Sequence, residues 1–68
     1  MEGTITSLKL GKGFGFLTPH GGSQQIFFHA DDLAPPLSFD GRLLERRVLF
    51  DLVETDKGQR AVALRPLE

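Results

Sequence analysis

Two short runs, Lys12-Gly13-Phe14-Gly15-Phe16-Leu17 and Ile26-Phe27-Phe28-His29, constrain this chain more than any other part of it. Read as β-strands, they send successive side chains to opposite faces, so Phe14 and Phe16 look one way and Phe27 and His29 line up beside them. Ile26 and Phe28 then fall on the other face, toward a core. The assignment is sensitive to register: a slip of one residue buries Phe27 and exposes Phe28. The result is a flat aromatic platform on an open sheet face, and contiguous apolar patches of that kind mark binding surfaces. Gly13 and Gly15 carry no side chains, which leaves the backbone between the rings open to close approach. Planar partners suit such a face. Nucleobases are the commonest of them, and each stacked base contributes about 1–3 kcal/mol.

The remainder of the chain reads as the frame for these two strands. Residues 3–10 form a first strand with Ile5 in the core and β-prone Thr4 and Thr6 around it, although the alternation blurs beyond Ile5 and turns Leu8 toward the platform. Gly11 opens a tight connection to the second strand, and Pro19 with the following His20-Gly21-Gly22-Ser23 closes it with a loop. Asp31 and Asp32 cap a short helical turn that ends near Pro35-Pro36. A loop over 34–44 contains Phe39, which either tucks down to seal the core or swings over the platform. Residues 46–54 make a fourth strand with Val48, Phe50 and Leu52 inward. After a turn at Thr55-Asp56-Lys57-Gly58, residues 59–65 make the fifth, with Ala61 and Ala63 on one face and Val62 and Leu64 on the other.

Composition narrows the chemistry. Sixty-eight residues make one small domain with a marginal core. There is no cysteine, hence no disulfide and no thiolate metal site, and two histidines are too few to hold a metal alone; no cofactor is expected. No run approaches the roughly 20 apolar residues of a membrane span, and the opening residues do not resemble a signal peptide, so a cytoplasmic setting without membrane partners is expected. Catalysis would have to recruit His29 with Asp31 or Asp32, and nothing completes a mechanism, so the chain reads as a non-enzyme. The formal charge is −1, yet residues 1–30 hold Lys9 and Lys12 against Glu2 alone, whereas 31–68 hold six basic against eight acidic residues. The aromatic half is the less acidic half. Stacking should therefore outweigh counterion release in any nucleic-acid contact. Leu67-Glu68 reads as a cloning scar.

The blocks KGFGFLTP and IFFHADDL resemble the two nucleic-acid-binding motifs of the cold-shock domain family, and the likeness extends over nearly the whole chain. It implies a single domain over residues 1–68, folded as a five-stranded antiparallel β-barrel of the OB type that binds single-stranded RNA or DNA. By position, Lys12, Phe14, Phe16, Phe27 and His29 match family residues that touch nucleic acid, with Lys9, Phe39 and Leu8 as secondary candidates. Departures are as informative. Ser7, Leu8 and Ala30 stand where the family usually carries rings, and Thr6 where it carries lysine, so weak to moderate binding is expected. The resemblance further implies an RNA-chaperone or antitermination-like role for a monomer or weak dimer. A second reading takes the chain as a small β-barrel protein-interaction or regulatory module, alone or as part of a larger protein, in which the depleted platform has weakened nucleic-acid binding.

Overall fold

The computed structural model describes residues 1–67. Five strands account for most of them: β1 (Glu2–Lys9), β2 (Phe14–Pro19), β3 (Ile26–His29), β4 (Arg47–Thr55) and β5 (Gly58–Pro66). Short 3₁₀ turns at Leu10–Lys12, Ala30–Asp32 and Gly41–Leu43 fill the connections. The strands follow the order β1-β2-β3-β5-β4 and close into a barrel where β4 pairs with β1. One expectation is corrected here. The sheet is mixed rather than purely antiparallel, because β3 runs parallel to β5 through the pair Phe27 and Arg60. That seam joins strands far apart in sequence, and a local alternation pattern carries no information about it.

The core is where the alternation places it. Phe28, Phe50, Ile5, Leu17, Leu64 and Val48 are the largest fully buried side chains. Leu52 is partly buried against this cluster, and Leu43 plugs it from the long loop. Asp40 starts the turn that delivers Leu43: its Oδ1 accepts the Arg42 N–H at 2.9 Å.

Two irregularities redirect side chains. In β1, Ile5 faces Leu17 but Ser7 faces Phe16, so Thr6 is an extra residue and every side chain beyond it changes face. In β5, Leu49 faces Arg65 and Asp51 faces Val62, so three steps of β5 oppose two of β4. Ala63 sits in that stretch with φ +54, and the result is that Ala61 and Leu64 are both buried while Ala63 is exposed. The expected strict alternation through Ala61 to Leu64 is therefore broken.

Candidate nucleic-acid interface

Cross-strand partners share a face, so the registers lay out the outer surface as two rows. One runs Ser7, Phe16, Phe27, Arg60, Val53 from β1 through β2, β3 and β5 to β4. The other runs Lys9, Phe14, His29. Phe14, Phe16 and Phe27 form a triangle, with ring centroids 5.9 Å apart for Phe14–Phe16, 5.5 Å for Phe14–Phe27 and 6.1 Å for Phe16–Phe27. All three are half-buried. The surface is not flat. Ring planes cross at 88° and 73° in two of the pairs and at 38° in the third, the edge-to-face preference of the aromatic quadrupole. Each phenyl therefore offers its own face, and a base would stack on a single ring rather than lie across a common plane.

His29 ends the second row, and its imidazole is fixed by the turn that follows. Nδ1 accepts the Asp31 N–H at 3.0 Å, while Asp32 Oδ2 accepts the His29 N–H at 2.8 Å, a reciprocal cap on the Ala30–Asp32 turn. With Nδ1 accepting, the neutral ring carries its proton on Nε2, a donor beside Phe14. The capping roles expected of Asp31 and Asp32 are thus divided: the histidine side chain caps, and Asp32 reaches back. Asp32 also holds Arg60, accepting from Nε at 2.9 Å and Nη2 at 3.0 Å. Its hydrogen bonds, followed by its charge, raise the guanidinium pKa above the ordinary arginine value.

Positive charge at this face comes from lysine. Arg42, Arg47, Arg60 and Arg65 each pair with a carboxylate, whereas Lys9, Lys12 and Lys57 make no salt bridge among the described residues. Lys9 lies beside Phe14, and Lys12 is exposed at the end of the Leu10–Lys12 turn. Lys57, with Gln59 and Arg60, lines a groove of about 620 Å³ that runs from Phe27 and His29 to the β4–β5 turn. Among the described residues no group of His, Asp and Glu is placed to hold a metal.

The sequence-predicted residues do not all converge. Phe14, Phe16, Phe27, His29 and Lys9 share the outer face, with Lys12 at its end. Leu8 does not join them. The extra residue in β1 turns it inward, where it pairs with Gly15 and packs against the core. Phe39 takes the sealing position, edge-on to the buried Phe28 ring at a centroid distance of 6.4 Å. Gly15 is required by the packing of the barrel. A Cβ on Gly15 would lie 2.6 Å from Ser7 O and 2.9 Å from Phe28 Cζ, inside the barrel. Gly13 adopts φ +75 to end the 3₁₀ turn. Arg60, Gln59 and Lys57 escaped the sequence reading because the β3–β5 seam that brings β5 to the rings leaves no local signal.

A closed β-sheet with three clustered rings on its outer surface is the architecture of an OB-like module. The chain belongs to the cold-shock domain family: residues 1–67 match the family described as "'Cold-shock' DNA-binding domain". It is 36% identical over 70 aligned positions to the cold shock-like protein CspD of Escherichia coli K12, covering 98% of this chain and 89% of that protein, and equally to its counterpart in Shigella flexneri. Among solved structures it is similar to the Drosophila Unr fragment CSD456, with TM-score 0.77 and 28% identity over 98% of this chain and 26% of that longer one. No helix of the described residues is long and apolar enough to cross a membrane.

Proposed function

We propose that this domain binds single-stranded nucleic acid by stacking bases on Phe14, Phe16, Phe27 and His29, with Lys9, Lys12 and Lys57 meeting phosphates. One observation carries the reading: three phenyl rings stand within 5.5–6.1 Å of one another on the outside of a barrel whose interior is already filled. Membership of a family described as DNA-binding supports it. The first row ends at Ser7 on β1, and Ala30 follows His29 after the second, so few rings are available and the affinity expected is weak to moderate. Stacking reads neither the sequence of bases nor the 2′-hydroxyl, so it does not by itself select RNA over DNA. In a cell, such a monomer or weak dimer would act in the cytoplasm as an RNA chaperone or antiterminator, holding strands open with little sequence preference.

Titration of a labelled short oligothymidylate into wild type and into the double variant Phe14→Ala/Phe27→Ala, followed by fluorescence anisotropy, tests the reading. Losing two stacked bases lowers affinity by roughly 2–6 kcal/mol, about thirtyfold at the least. Equal affinity removes the rings from the mechanism. Failure of the wild type to bind at all favours the protein-interaction module.

A further inference from the structure

Arg60 stands next to Phe27 in the same outer row and lines the same groove as Phe27 and His29. Its Nε and Nη2 both donate to Asp32, at 2.9 and 3.0 Å, a side-on pair that fixes the plane of the guanidinium. Asp32 is itself held. Its side chain is 8% exposed, and Oδ2 also accepts the His29 N–H. The Arg60 side chain remains 37% exposed. The carboxylate offsets its charge but leaves the faces of the plane uncovered by this pairing, because the hydrogen bonds lie along the edge of the guanidinium.

We infer that Arg60, oriented by Asp32, is a further stacking surface: a base moving off Phe27 lies over the guanidinium plane, and the bound strand continues from β2 across β3 onto β5. This rests on the nucleic-acid reading above and extends its footprint. Bases stack on arginine planes as they do on rings. The ordering cost of a long side chain is met before the ligand arrives, since the ion pair already holds the plane. The row gains at the β5 end what it lacks at the β1 end, where Ser7 supplies no ring. A guanidinium already committed to a carboxylate is a poor phosphate clamp, so the contribution of Arg60 is insensitive to salt. Asp32 is the positioning residue.

The test is anisotropy titration of a labelled short oligothymidylate over a series of salt concentrations, with wild type, Arg60→Ala, Arg60→Lys and Asp32→Asn, each checked for folding by thermal melting. Lysine keeps the charge and can keep the ion pair but has no plane. Arg60→Ala and Arg60→Lys should both lose about fivefold or more in affinity, the lower end of what one stacked base contributes, with the salt slope unchanged. Asp32→Asn releases the cation to reach phosphate and should steepen the slope by about 0.7, one further contact on a single strand. In the wild type the Arg60 Nε–H proton resonance should move upfield on binding, from the ring current of the stacked base. If Arg60→Lys binds as tightly as wild type, or if Arg60→Ala makes the slope shallower, the inference is overturned while the reading of the rings stands. If the wild type binds no oligothymidylate, both fall together.

Discussion

Leu8 and Lys9 are sequence neighbours that the fold sends to opposite destinations. Leu8 pairs with Gly15 and packs on the core; Lys9 pairs with Phe14 on the ring-bearing face. Leu8→Ala should therefore cost about 1–3 kcal/mol of stability, less than a fully buried leucine, and leave affinity for a single strand unchanged under conditions where the variant is folded. Lys9→Ala should do the reverse, holding the melting temperature while making the salt slope of binding shallower by about 0.7. Paired thermal melts and salt-dependent titrations of the two variants decide it, and a binding defect in Leu8→Ala would mean that β1 is misassigned. At this scale the sequence was legible wherever a two-residue period held. Phe14, Phe16, Phe27 and His29 all lie on the face that alternation assigns them. It misled where a residue's purpose depends on what faces it across the barrel. Gly15 looks like an opening for a ligand until the Phe28 ring is found where its Cβ would be.

The strands were recognisable as elements, with ends displaced by a residue or so, because β-prone runs bounded by glycine and proline punctuate themselves. Their interruptions were not. Bulges are commonly marked by glycine, and neither the extra residue Thr6 in β1 nor Ala63 in β5 announces one. At Ala63 the left-handed backbone, φ +54, is what points both Ala61 and Leu64 inward. A β-branched residue is strongly disfavoured there, and glycine adopts the conformation freely. Ala63→Val should lower stability by about 1–3 kcal/mol although the side chain is exposed, whereas Ala63→Gly should match or exceed wild type in a urea melt. Equal melts for valine and glycine would show that β5 runs straight at this point. The bulge in β1 carries more functional weight. Without Thr6 out of step, Ser7 and Lys9 would face the interior and Leu8 would stand among the rings.

The whole molecule divides its charges unevenly in a way that the net value of −1 conceals. Four arginines are tied to carboxylates: Arg42 to Asp40, Arg47 to Glu2, Arg60 to Asp32 and Arg65 to Asp51. Lys9, Lys12 and Lys57, which have no such partner among the described residues, border the rings or the groove beside them. A bound strand would thus meet a face more basic than the protein as a whole, but with only three cations that form no salt bridge among the described residues to neutralise its phosphates. Counterion release from a single strand contributes a slope of about −0.7 per neutralised phosphate, so three contacts give about −2 in a plot of log affinity against log salt. Stacking supplies the remainder and should persist when salt has removed the lysine contribution. Measured over a salt series, a slope near −2 with residual binding at high salt is the expected outcome. A slope beyond about −4 would require the paired arginines to abandon their carboxylates for phosphate, and the domain would then grip the backbone first and the bases second. A slope near zero would take the lysines out of the interface and leave affinity to the rings and the Arg60 plane alone.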